Sequence, residues 1–226
     1  MPVRRAVALA LVLAFAAGCG SRHATLPRAY ATASITPGRG LDDIHLGDPV
    51  GPFLERFGAG QVAVVVGDEL LAADLHFPDQ GLSFRYAADV SCRKALAAGG
   101  SLLGSMTGIR NATRFLSDYP ACAAMSLQSI GIEDQGRTSA PSFKGKTTRG
   151  TILHMTRAEL LVNEGVAVPG DAVSTVLDSA EDANYERFYF SDGLLAYVAR
   201  LGPGEQGDAA SGWKVVKLAV IPRAGQ

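Results

Sequence analysis

The spacing of apolar positions changes along this chain, and the changes mark out its elements. Val50, Phe53, Leu54 and Phe57 recur three and four residues apart, so they share one face of a helix. Asp48 can cap that helix, Pro49 suits its first position, and Gly58 stops it. Val62-Ala63-Val64-Val65-Val66 then reads as a strand and Gly67-Asp68 as a turn. Residues 75–86 read as a hairpin turning at Pro78-Asp79-Gln80-Gly81. Leu82, Phe84 and Tyr86 alternate with Ser83 and Arg85, so one face of this sheet is buried and the other is wet.

The same plan recurs further along. Leu153 to Gly165 lies on Leu46 to Gly58 at a shift of 107 residues, matching Phe53 with Leu160 and Leu54 with Leu161. Tyr189-Phe190-Ser191-Asp192-Gly193-Leu194 matches Phe77-Pro78-Asp79-Gln80-Gly81-Leu82 at a shift of 112. Each copy closes with a further strand, Ser129 to Ile132 in the first and Trp213 to Ile221 in the second. The alternative is convergence of two ordinary amphipathic units on one order of elements. The expected fold class is α+β: two tandem units, each a short helical segment packed on an antiparallel sheet.

The N-terminus obeys a different logic. Arg4 and Arg5 precede an apolar run, Ala6 to Ala17, that is shorter than the about 20 residues a spanning helix needs, so residues 1–18 read as a signal peptide. Ala16-Ala17-Gly18-Cys19 resembles the lipobox of bacterial lipoproteins, which implies a mature chain starting at Cys19 and acylated on its sulfur. Acyl chains contribute about 0.8 kcal/mol per buried methylene, enough to hold a protein on a bilayer without a spanning helix. Gly20 stands where that family carries Asp for inner-membrane retention, so the resemblance implies an outer-membrane location facing the periplasm. Residues 19–39, small and polar with two prolines, read as a flexible tether. The units are then expected over 40–136 and 137–226.

From Cys19 onward 208 residues remain, enough for a substantial core, with 19 basic residues against 22 acidic ones. That balance lacks the electrostatic footprint of a nucleic-acid binder. With Cys19 assigned to lipid, Cys92 and Cys122 remain as an even pair, expected to be bonded in an oxidising compartment; two buried free thiols are the alternative.

The Ile44-His45-Leu46-Gly47 lead-in with Phe53, Leu54 and Gly58, the Thr156-Arg157-Ala158-Glu159-Leu160 helix start, and the Gly-Leu hairpins at 81 and 193 resemble the SmpA/OmlA, or BamE-like, outer-membrane assembly lipoproteins. As a tandem, the arrangement resembles β-lactamase inhibitory protein. The chain departs from a strict repeat where His154 replaces Gly47, at Pro52, and in the 92–122 insertion. The resemblance implies a non-catalytic envelope protein that presents a protein-interaction surface, with an inhibitor-like binder of a secreted enzyme or peptide as the alternative.

Catalytic patterns are poorly formed. Ala140 to Thr147 fits a relaxed phosphate loop, but no buried strand leads into it and Ala140 replaces the first glycine, so Lys144, Lys146 and Arg149 read as a solvated loop. Ser91-Cys92-Arg93-Lys94 matches the Ser-x-x-Lys string of penicillin-binding enzymes, a route to a cell-wall hydrolase. Its companions, Ser191-Asp192-Gly193 and Lys146-Thr147-Thr148, are imperfect and in the wrong order. His23, His45, His76 and His154 have no shared ligand spacing, and Asp42-Asp43 and Glu181-Asp182 sit at predicted element starts, so no metal or cofactor is expected. Phe77, Tyr86, Tyr185, Phe188, Tyr189, Phe190 and Tyr197 gather in the hairpins. Those that face outward are the candidate anchors of an interface.

Overall fold

A computed structural model of the chain describes residues 26–57, 61–66, 71–98, 107–133, 143–165, 174–177, 185–200 and 213–223. The class is α+β. A small three-stranded sheet, β1 (Ile35–Thr36), β2 (Gly40–Leu41) and β3 (Ile44–His45), precedes helix α1 (Val50–Phe57). Then come β4 (Gln61–Val66), β5 (Leu71–Phe77), β6 (Leu82–Ala87), α2 (Val90–Ala98), β7 (Thr107–Asn111), α3 (Ala112–Asp118) and β8 (Ser126–Glu133). The second half supplies α4 (Arg157–Asn163), β9 (Ser174–Leu177), β10 (Tyr185–Phe190), β11 (Leu194–Arg200) and β12 (Trp213–Val220).

The strands of both halves join in one antiparallel sheet of nine, in the order β7-β4-β5-β6-β8-β12-β11-β10-β9. The join is self-complementary. Each half ends on its closing strand, β8 or β12, and these two strands pair with each other, Ile130 opposite Val220, Gly131 opposite Ala219, Ile132 opposite Leu218. Aligned on their buried positions, Gly131 is the counterpart of Ala219, so a local two-fold axis passes between them. Successive antiparallel pairings make β6 and β11 run in opposite directions, which puts the β5–β6 and β10–β11 turns at opposite ends of the sheet.

Backbone detail repeats in both halves. Gly47 N–H donates to Leu127 O at 2.8 Å and Leu127 N–H to Asp48 O at 2.9 Å; His154 N–H donates to Val215 O at 2.8 Å and Val215 N–H to Met155 O at 2.9 Å. The departure His154 keeps the left-handed backbone of its counterpart, φ 65° against 91° at Gly47. A bulge follows in each closing pair, between Arg85 and Tyr86 on β6 and between Tyr197 and Val198 on β11, the same step after the Gly-Leu turn. One detail of the expected alignment shifts. The β5–β6 turn is one residue longer than Ser191–Gly193, so buried Phe190, and not Tyr189, takes the place of Phe77.

Helices α1 and α4 lie on the same side of the sheet. Phe53 of α1 packs on Phe77, Phe84 and Tyr86 with ring centroids 6.0, 5.0 and 5.9 Å away, and burial of such a ring stabilises by about 1.5–3 kcal/mol. Leu160 of α4 is fully buried; Thr156 and Glu159 form a capping box at that helix start, and the Arg157 guanidinium lies 5.3 Å over the Phe188 ring. Leu127, Ile130, Ile132, Val215, Leu218 and Val220 continue the apolar floor across the join.

Two expectations need correction. The tether expected over 19–39 is folded from Leu26 onward: Leu26, Tyr30, Ala33 and Ile35 are all buried, with a 3-10 turn over Arg28–Thr32. The prolines and glycines that suggested a linker instead shape turns, and Gly38 and Gly193 approach so closely that a Cβ on either would collide with the other's strand or neighbours. Asp48 was expected to cap α1; its carboxylate accepts the N–H of His45 at 2.7 Å, closing the turn before Pro49. The expected turn Gly67-Asp68 lies outside the described residues.

Candidate functional site

Among the described residues the helices lie on one side of the sheet, and its other side carries a depression of about 330 Å³ spanning the join. It is lined from the first half by Asp74, His76, Ser83, Arg85, Ser129 and Glu133, and from the second by Leu195, Tyr197, Lys217, Ala219 and Ile221. Period-two alternation puts them there, since their neighbours Leu75, Phe77, Leu82, Phe84, Ile130 and Ile132 all point into the core.

The polar groups of this face are held in place. Arg85 makes a two-pronged pair with Asp74, Nε to Oδ1 and Nη2 to Oδ2, both 2.8 Å; the carboxylate is nearly buried and the guanidinium more than half exposed. The Asp74 bonds push the Arg85 guanidinium still higher than its ordinary value. Across the join, Lys217 Nζ lies 3.3 Å from Glu133 Oε2 and 5.5 Å above the Tyr197 ring, so one ammonium ties the two halves together. Gly131 at the axis leaves room for Ser83, whose Oγ a Cβ would strike. The result is a surface in which Tyr197 sits beside ion pairs. A depression of this volume has room for a protruding side chain of a macromolecule.

The aromatic cluster read from the sequence divides in two. Phe77, Tyr86, Phe188 and Phe190 are core, whereas Tyr189 and Tyr197 are partly exposed strand residues of the open face; the side chain of Tyr185 lies outside the described residues. Burial pushes the Tyr86 phenol well above its ordinary value, with the charge of Asp48 adding to it.

The other candidates disperse. Ser91 and Lys94 are both exposed on α2, and Ser191 is in the β10–β11 turn. Phe143 to Thr147, the described part of the phosphate-loop match, ends in a bridge, Thr147 pairing with Ile35, and a turn rather than a helix follows it. Arg149 is not simply solvated as expected. It bonds the fully buried carboxylate of Glu164 at 3.1 Å and reaches Asp192 at 3.5 Å, while Thr151 and Thr147 hydroxyls donate to Glu164 Oε1. This knot ties the end of α4 to the β10–β11 turn, and the sequence reading missed it. The Asp42-Asp43 pair likewise has a partner: Asp43 Oδ2 lies 2.6 Å from Arg56, and Tyr30 Oη donates to Oδ1 at 2.6 Å. That bond and the Arg56 guanidinium hold the Asp43 carboxyl below its ordinary value. Burial, reinforced by Asp43, pushes the Tyr30 phenol up to about 12.

Cys92 and Cys122 are joined, their sulfurs 2.05 Å apart, and the bond ties α2 to the 3-10 turn Pro120–Ala124. Among the described residues no group of three His, Cys, Asp or Glu side chains is placed to hold a metal ion, and no helix is long and apolar enough to cross a membrane. Cys19, His23 and the Glu181-Asp182 pair lie outside the described residues. Comparison of the chain with protein-family models, curated proteins and solved structures yields no match.

Proposed function

We propose that the chain is an exported, lipid-anchored envelope protein without catalytic activity, which uses the open face of its sheet to bind another envelope protein in an assembly or scaffold role. The acylated residue of this reading is Cys19, and the outer membrane facing the periplasm is its location. Support comes from the leader ending in Ala16-Ala17-Gly18-Cys19 and from a disulfide in the body, which suits an oxidising compartment. The observation that carries the binding role is the face where Tyr197 and the Lys217–Glu133 pair meet across the join. Capture of a secreted enzyme or peptide is the second reading, favoured by the depression beside Tyr197, which can take one protruding side chain.

Affinity capture from envelope extracts with the wild-type protein and a Tyr189→Ser/Tyr197→Ser variant tests the role. Loss of two aromatic anchors is expected to reduce recovery of the partner about tenfold or more while the thermal midpoint holds. Equal recovery by both proteins would move the binding surface elsewhere. A recovered soluble enzyme would favour the second reading over the scaffold role.

A further inference from the structure

The segment after the acylation site is built into the body at both ends. Leu26 is 2% exposed and its carbonyl accepts from Gln80 Nε2 at 3.1 Å, at the β5–β6 turn. Tyr30 packs edge-on to Phe57 at 5.4 Å and is bonded to Asp43 and Arg56. Ile35 N–H donates to Lys146 O at 2.9 Å, and Gly38 N–H donates to Gly193 O at 3.3 Å, at the β10–β11 turn. Residues 26–38 therefore run the length of the sheet on its helix side, from the first turn to the second.

Resting on the lipid-anchor reading above, we infer that the body is mounted on the bilayer rather than hung from it, with the corner of Leu26 and the β5–β6 turn as its membrane-facing end. Six residues lie between Cys19 and Leu26, and the seven steps between the two span at most about 25 Å even fully extended. A compact body of this chain length has a radius of gyration of about 17 Å and is about 40 Å across. The link is shorter than the body, so the Leu26 corner cannot turn to the far side. The β10–β11 turn, at the other end of the sheet, faces away from the lipid.

The full acylated protein, reconstituted in phosphatidylethanolamine and phosphatidylglycerol vesicles with an acceptor dye on the headgroups, tests this. Asp79 and Ser191 are exposed at the two opposite turns, and with Cys92 and Cys122 bonded a single added thiol takes the donor dye. Energy transfer from Asp79→Cys is expected to exceed that from Ser191→Cys roughly twofold, and an insertion of about 20 Gly/Ser residues after Ala24 is expected to abolish the difference. Equal transfer from both positions, with an acyl chain on Cys19 shown by mass spectrometry, would overturn the mount and leave the anchor standing. Absence of an acyl chain on Cys19 in the native protein would overturn the anchor and the mount together.

Discussion

On the helix side, the two halves of the sheet bury apolar side chains at matching positions: Leu82 and Leu194, Phe84 and Ala196, Tyr86 and Val198, Ile130 and Leu218, Ile132 and Val220. On the open side the counterparts differ in kind. Ser83 faces Leu195 across the pseudo-symmetry, Arg85 faces Tyr197, Ser129 faces Lys217, and Glu133 faces Ile221. Core packing constrains volume and polarity on one side only, because a one-methylene error there is felt at once, while the wet side is free to change. The first half is ionic on this face and the second, Lys217 apart, aromatic and apolar, and the depression lies where they meet.

If the helix sides are equivalent, emptying either should be costly. Phe53→Ala is expected to lose about 3–5 kcal/mol and Leu160→Ala about 2–5 kcal/mol in urea unfolding, both within one cooperative transition because the halves share a sheet. Two separated transitions would break the claim of a continuous core. The disulfide sharpens the contrast, since it belongs to the first half alone. Replacing Cys92 and Cys122 with alanine reopens a loop with a sequence separation of 30 and is expected to cost about 3–4 kcal/mol. Amide exchange should then quicken in α2 and the 3-10 turn before β10–β12; uniform quickening would contradict that assignment.

The smallest expected effect is a pH dependence, seated at Asp43 and Tyr30 in the first half and at the Glu159 capping box of α4 in the second. Asp43 is held below its ordinary value, so its contribution is complete above the usual carboxylate range and is lost as pH falls through the lowered folded value. Tyr30 works the other way. Its contribution is present below 10.0 and is lost as pH rises towards about 12. Asp43→Asn should flatten the acid limb of stability and lower the Tyr30 midpoint read by absorbance. An unchanged Tyr30 titration would show that burial alone sets it.

How much of this the sequence revealed follows from locality. The alternation of Leu82, Phe84 and Tyr86 with Ser83 and Arg85, and the periodic stripe of α1, are written in adjacent residues and were legible. So was the partner of Cys92, because Cys122 is the one cysteine besides it after Cys19. The joining of both halves into one sheet was not legible, since nothing in the pattern of β8 or β12 names the other as its neighbour. Thr107–Asn111 lacks alternation and its place as a strand beside β4 escaped the reading. The buried Leu26, Tyr30 and Ile35 follow no period, so prolines and glycines made their segment look like a linker. On the candidate site, the tyrosines were noticed but their sorting into core and surface needed the strand register, and the Arg85–Asp74 and Lys217–Glu133 pairs join residues on different strands.

The claim that the open face does the binding is tested most directly by placing a photo-crosslinking amino acid at position 197 or, on the exposed helix side, at position 158. Illumination of intact cells is expected to give a discrete adduct with an envelope protein from position 197 and none from position 158. An adduct from position 158 with none from position 197 would contradict the account.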